Sequence, residues 1–243
     1  MKSFVFAFLW SVSVFLFAEN LPTYSLCDSK HVPLDHQLVE ILSMNNGVFI
    51  EAGAYNGVHQ SNTKLLEDCF GWTGILIEPS APLYDHIIQN RPNSKVFCCA
   101  LGSFKQNNTY IKGDFDGYSP MNSVQGKRLN RKPRNRVLVR SLQSILDEVK
   151  ITHVNFFSLD TEGYEYNILQ GIDFNRTTFD YLLIETYPHE HDKIVQFLDE
   201  RGYDLVRCLS NYNKQDIPNW DGTHNDYLFK RRSLDPNLKH YKH

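Results

Sequence analysis

Several absences bound what this chain can be. Of its 243 residues only five are cysteine, Cys27, Cys69, Cys98, Cys99 and Cys208, an odd number at scattered spacing. That excludes a disulfide-stapled small scaffold and a zinc site of recognisable spacing. None of the five is expected to be catalytic. Cys98 and Cys99 fall in a run that reads as an interior strand, where a thiol behaves as a small apolar group. Net charge is only −3, so there is no global attraction to nucleic acid. The longest hydrophobic run, residues 4–17, falls short of the roughly 20 residues that span a bilayer as a helix. With 42% hydrophobic and 22% charged residues, neither a disordered chain nor a multi-span membrane protein is expected. No Gly-x-Gly-x-x-Gly pyrophosphate cradle occurs, which disfavours a NAD-dependent oxidoreductase.

What is present begins at Val48-Phe49-Ile50-Glu51-Ala52-Gly53-Ala54-Tyr55-Asn56-Gly57, an apolar run that ends in an acid and two glycines. This pattern predicts a strand running into a ligand-binding turn, where Gly53 lets the backbone turn sharply and a ligand approach the main chain. A second run, Gly74-Ile75-Leu76-Ile77-Glu78-Pro79, places another acid 25 residues after Gly53, where nucleotide-binding sheets keep their ribose-binding carboxylate. An acid at 51 repels phosphate and attracts a cation. A cofactor with a sulfonium and an ammonium and no phosphate, S-adenosylmethionine, fits that pattern better than NAD.

Beyond residue 34, short apolar runs at 47–52, 74–78, 95–100, 154–160, 180–186, 203–208 and 225–230 alternate with amphipathic stretches. Helices are expected near 34–44, 61–70, 80–90, 141–149, 163–171 and 190–201. Such alternation predicts one α/β domain with a mostly parallel sheet covered on both faces and its ligands at the carboxyl ends of the strands. Glu51, Glu78, Asp160, Glu162 and Glu185 all fall at or near run ends, so the acids converge on one rim. Residues 102–136 interrupt the alternation and are too long for an ordinary connection, as a substrate loop or lid would be. Lys127 to Arg140 hold seven Lys or Arg in fourteen residues, a solvated loop or a clamp for an anionic substrate or membrane surface.

Residues 1–18, with Lys2 ahead of the run at 4–17 and Ala18 at its end, resemble a secretory signal peptide. An uncleaved short membrane anchor is the alternative, and either way the folded domain is residues 19–243. Asn107-Asn108-Thr109 and Asn175-Arg176-Thr177 are N-glycan acceptor sequons, so a glycoprotein of the secretory pathway is expected.

The ordered motifs can now be read together: Phe49 to Gly57, Ser61-Asn62-Thr63, Gly71-Trp72-x-Gly74, Ile77-Glu78-Pro79, Ala100-Leu101-Gly102 and Leu159-Asp160-Thr161-Glu162-Gly163-Tyr164-Glu165. Over residues 47–208 this series resembles the FkbM-type S-adenosylmethionine-dependent methyltransferases. The resemblance implies a class I methyltransferase (Rossmann-like) sheet of seven strands, the last antiparallel, and O-methylation of a small molecule or glycan. It also implies that Glu51, Gly53, Ala54 and Asn56 line the methionine part of the cofactor, that Glu78 holds the ribose hydroxyls, and that Ala100 and Leu101 lie beside the adenine. Asp160 and Glu162 would sit nearest the transferred methyl. Thr161 stands where the family usually has an apolar residue.

Methyl transfer to a hydroxyl needs a group to take its proton. Asp160 or Glu162 is the first choice by position, and His189 in Tyr187-Pro188-His189-Glu190-His191 the second, since imidazole titrates in the right range. His189 and His191 read equally as a polar helix start. Spacing alone assigns no metal, although Asp160, Glu162, Glu185 and His189 carry donors that would suit Mg²⁺ or Ca²⁺ if they met. The rival reading is a catalytically inactive binding or trafficking protein that keeps the fold, because the cofactor is made in the cytosol and fold alone does not establish activity. No nucleic-acid partner is expected, and membrane association would run through residues 4–17.

Overall fold

The computed structural model describes residues 21–232 apart from 116, 219 and 221. The expected signal segment at 1–18 lies outside the described residues. Helix α1 (Leu34–Leu42) buries Leu34, Leu38 and Leu42, which recur every four residues on one face. Strand β1 (Val48–Ala52) then enters the sheet, followed by α2 (Lys64–Phe70), β2 (Thr73–Ile77), α3 (Ala81–Asn90) and β3 (Lys95–Phe97). After an excursion the chain returns with α4 (Leu142–Val149), β7 (His153–Leu159), α5 (Glu165–Leu169), β8 (Thr178–Thr186), α6 (Pro188–Asp199), β9 (Tyr203–Cys208) and β10 (Asn225–Arg231). The excursion holds β4 (Ala100–Leu101), a 3₁₀ turn at Phe104–Gln106, β5 (Thr109–Gly113) and β6 (Asn135–Arg140).

Seven strands form one sheet in the order β3-β2-β1-β7-β8-β10-β9. β1 pairs in parallel with β2 on one side and β7 on the other, and β10 runs antiparallel to both neighbours. The central strands are largely apolar because both of their faces are covered, whereas the edge strand β9 is mostly exposed. Their alternation divides the core in two. Ile50, Ile75, Ile77, Phe157, Leu159, Leu182 and Ile184 face one layer, whereas Phe49, Leu76, Phe156 and Leu183 face the other. The chain moves outward from β1 through β2 to β3, then restarts on β1's opposite side with β7. That reversal makes the carboxyl ends of β1 and β7 the switch point of the sheet, the place where ligands of such sheets bind.

Two expectations are corrected here. The run at 95–100 is not one strand: β3 ends at Phe97, Cys98 is exposed, and Ala100–Leu101 leave the main sheet to pair with β6. The stretch 102–136 is not a plain loop either, because β4, β6 and β5 form a second, three-stranded sheet. Its cations are partly packed. Arg136 lies over the Tyr110 ring at 5.5 Å and Arg140 over Phe97 at 5.6 Å, so a stretch whose charge suggests solvent is held by stacking on aromatic faces. All five cysteines are free thiols. No helix among the described residues is long and apolar enough to cross a membrane.

Candidate active site

The turn after β1 fits against the turn after β7 with no room for a side chain. Gly53 has φ +83°, and a Cβ there would stand 1.7 Å from the Asp160 carbonyl oxygen. Asp160 N in turn donates to Ala52 O, and Gly53 N and Ala54 N donate to Ile77 O, so three strand ends are tied together. Glu78 follows β2 and is buried. One carboxylate oxygen accepts Tyr55 N at 3.1 Å and the other Ser80 N at 2.9 Å. Burial pushes the Glu78 carboxyl up to about 7, against the pull of those two N–H donors. Each oxygen uses one lone pair on the protein and keeps another.

Between these turns lies a cleft lined by Gly53, Glu78, Ala100, Leu101, Asp160 and Glu162, with Tyr55, Ile77 and Cys99 beside them. Phe115, Ser119, Pro120, Asn122 and Val124 from the excursion wall its other side. The Asn122 side chain donates to Gly117 O, while its Oδ1 is buried without a partner.

At the β7 end the backbone is strained. Glu162 at φ +61° and Gly163 at φ +93° are both left-handed, which for a glutamate costs energy and turns its side chain inward. Glu165 holds this turn: one oxygen accepts Thr161 N at 2.7 Å, the Thr161 hydroxyl at 2.8 Å and Gly163 N at 3.3 Å. Glu162 Oε2 accepts from Arg128 Nε at 2.8 Å and from the Tyr187 hydroxyl at 2.9 Å. Glu185 ends β8 beside its β10 neighbour Asp226, and oxygens of Asp160, Glu162 and Glu185 lie within 4.8 Å of one another. Burial, then the neighbouring acids, drive the Asp160 and Glu185 carboxyls well above their usual range. Carboxyl groups gathered this closely and this deeply favour a proton or a cation among them.

Residues 51–205 match the methyltransferase FkbM domain, which is more than half of the chain. The chain belongs to the FkbM methyltransferase family. Solved structures similar to it include a TehB-like SAM-dependent methyltransferase from Corynebacterium glutamicum, at 11% identity and TM-score 0.46, covering 93% of this chain and 96% of that one. The fibrillarin pre-rRNA processing protein of Methanococcus jannaschii is similar at 11% identity and TM-score 0.46, covering 77% and 67%. No curated protein sequence matches.

S-adenosylmethionine is the cofactor of this FkbM protein, and the cleft fits it. Glu78 retains acceptor capacity on both oxygens for vicinal hydroxyls. The orphaned Asn122 Oδ1 needs a donor of the kind an exocyclic amine supplies. Gly53 leaves the main chain bare where a ligand must come close.

Not every expected residue is brought to the cleft. The Glu51 carboxylate turns away from it: one oxygen accepts Asn62 N at 2.8 Å, and the other accepts the hydroxyls of Ser61 and Thr63 at 2.8 and 2.6 Å. Arg91 Nη1 stands 3.8 Å from it. Glu51 is consumed in holding the 61–63 turn rather than offered to a cation. Ala54 packs its methyl in the apolar layer with Phe49 and Leu66. Asn56 caps the next turn, its Oδ1 accepting Val58 N and His59 N. His189 is exposed on the first turn of α6 and lines no part of the cleft, so its bland reading as a polar helix start holds. Tyr187, Arg128, Asn122 and Glu165 were missed as site residues. Glu165 carried a signal, three residues beyond Glu162 in the same motif, and Arg128 lies in the basic run 127–140.

Proposed function

We propose that this FkbM protein transfers methyl to a hydroxyl oxygen of a small molecule or glycan, with Asp160 as the group that takes the hydroxyl proton. The supporting observation is the position of Asp160, which lines the cleft beside Gly53 and Glu162 and whose carboxyl, like that of Glu185, is raised well above its usual range by burial and then by the neighbouring acids. Bound S-adenosylmethionine supplies a methyl carbon whose bond to sulfonium breaks as the O–C bond forms, the electron pair staying on sulfur.

The chain's own residues would do the rest. The Gly53 backbone, Glu78, Ala100 and Leu101 hold the cofactor. Glu162, steered by Arg128 and Tyr187, orients the acceptor beside Asp160, which takes the hydroxyl proton as the O–C bond forms. Alignment of this kind accounts for several kcal/mol of barrier reduction. His189 has no part in this reading, because it stands outside the cleft.

We further infer a secretory-pathway location, from the signal-like residues 1–18 and the exposed sequon at Asn175. That location supports the second reading, a cofactor-binding protein without turnover. Radiolabel transfer from methyl-tritiated S-adenosylmethionine to panels of hydroxylated metabolites, glycans and RNA separates the possibilities. Label in a small hydroxyl acceptor or glycan supports O-methylation. Label in RNA or on an amine overturns it, and cofactor binding with no transfer to any panel favours the inactive protein.

A further inference from the structure

We propose that Asp160, Glu162 and Glu185 form a binding site for a divalent cation of the oxygen-preferring kind, such as Mg²⁺, Mn²⁺ or Ca²⁺. The three come from different places, the end of β7, the left-handed turn after it and the end of β8, yet each brings an oxygen within 4.8 Å of the others. Carboxyl groups gathered from two backbone segments, the turn after β7 and the end of β8, repel one another when ionised unless something positive lies among them.

A second observation points the same way. Glu185 is 3% exposed, and its Oε2 is buried with no hydrogen-bond partner. Such an atom needs a donor or a metal. Among the described residues, acids outnumber the cations that pair with them here. Arg128 is paired with Glu162, and His224 Nδ1 stands 3.5 Å from Glu185 Oε1, against the five acids Asp160, Glu162, Glu165, Glu185 and Asp226. The donor set is all oxygen, which selects hard cations over zinc or copper. Three protein ligands leave coordination positions open, and the cluster borders the cleft through Asp160 and Glu162. If the methyltransfer reading is right, an acceptor hydroxyl at such a position is both anchored and made more acidic.

The test uses the whole chain, stripped with EDTA and desalted, and titrated with Mn²⁺ while free Mn²⁺ is followed by electron paramagnetic resonance. The titration is run with and without S-adenosylhomocysteine, and S-adenosylhomocysteine binding is measured separately by calorimetry. The expected result is one Mn²⁺ per chain, displaced by Mg²⁺ or Ca²⁺, retained with S-adenosylhomocysteine, and weakened about tenfold or more by Glu185→Gln. Glu162→Gln, at a part-exposed position, serves if Glu185→Gln does not fold, and Asp68→Asn on α2 is the control that leaves binding unchanged. Absence of binding at millimolar Mn²⁺ overturns the proposal, as does unchanged affinity in the variants. So does loss of Mn²⁺ on adding S-adenosylhomocysteine, which would mean that the cofactor's own ammonium fills the place. A protein that binds S-adenosylhomocysteine but no Mn²⁺ sinks the cation site and leaves the methyltransferase reading standing.

Discussion

If Glu78 holds the ribose as proposed, it joins cofactor recognition to pH. Its folded-state carboxyl sits at about 7, whereas an unfolded glutamate titrates near 4.5. The folded protein therefore holds this proton more tightly, and Glu78's contribution to stability is lost as pH rises from about 4.5 through 7, by about 3 kcal/mol in all. The ionised form accepts from both ribose hydroxyls, and more strongly than the protonated one, so cofactor binding gains where the empty protein loses. Calorimetry with S-adenosylhomocysteine should show affinity rising steeply from pH 5.5 to 8, and a flat profile would refute the assignment. Glu78→Gln should bind the ligand about tenfold to a hundredfold more weakly while its unliganded form melts higher than wild type at pH 8. Gly53 carries a different constraint. Gly53→Ala forces a methyl into the Asp160 carbonyl, and it should abolish cofactor binding even where circular dichroism shows that the fold survives.

At the scale of elements, Arg91 just past α3 is the tie that shapes the turn after β1. It is fully buried, with its guanidinium over the Phe49 ring at 5.2 Å, bonded to Glu67 and donating to Gly57 O, Ser61 and Thr63. Removing one side of a buried ion pair strands the other, so Arg91→Met should lower stability by about 3–5 kcal/mol in urea unfolding. The helices and central strands of this scaffold were legible because their apolar periodicities are clean. The 102–136 excursion was not, because its strands are held by cation-aromatic stacking and by β6 pairing across 22 or more residues, neither of which leaves a local period. The excursion is tied to the β1 and β2 ends at two points. Tyr55 donates its hydroxyl to Tyr118 O at 3.0 Å, and Ser80 donates to Gly117 O at 3.1 Å. If these bonds pin a flap over the cofactor cleft, amide exchange at residues 117–124 should slow with S-adenosylhomocysteine bound. Unchanged exchange there would separate the excursion from cofactor binding.

The whole molecule explains why so much of the site could be read from one sequence and why a part could not. Acids at the ends of apolar runs reveal the rim, because a parallel sheet aligns all its carboxyl ends. Which way each acid points is decided by side chains far away in sequence, so Glu51 and Glu78 look alike as text yet one faces Arg91 and the other the cleft. The orphaned Asn122 and the Tyr187 hydroxyl likewise reach the site through folding alone. The same geometry sets a last expectation. Gly53 and Glu78 belong to the β1–β3 half of the sheet, Asp160 to the β7–β9 half, and the excursion bridges them. A ligand in the cleft therefore binds only the assembled molecule, and its free energy adds to global stability. At a hundred times its dissociation constant, S-adenosylhomocysteine should add about 2.7 kcal/mol, a rise of about 5–10 °C in Tm for a domain of this size. Scanning calorimetry across ligand concentrations checks this. One transition moving as a unit supports a single cooperative body, whereas a transition that splits, with only part moving, would show that the cleft is built on one half alone.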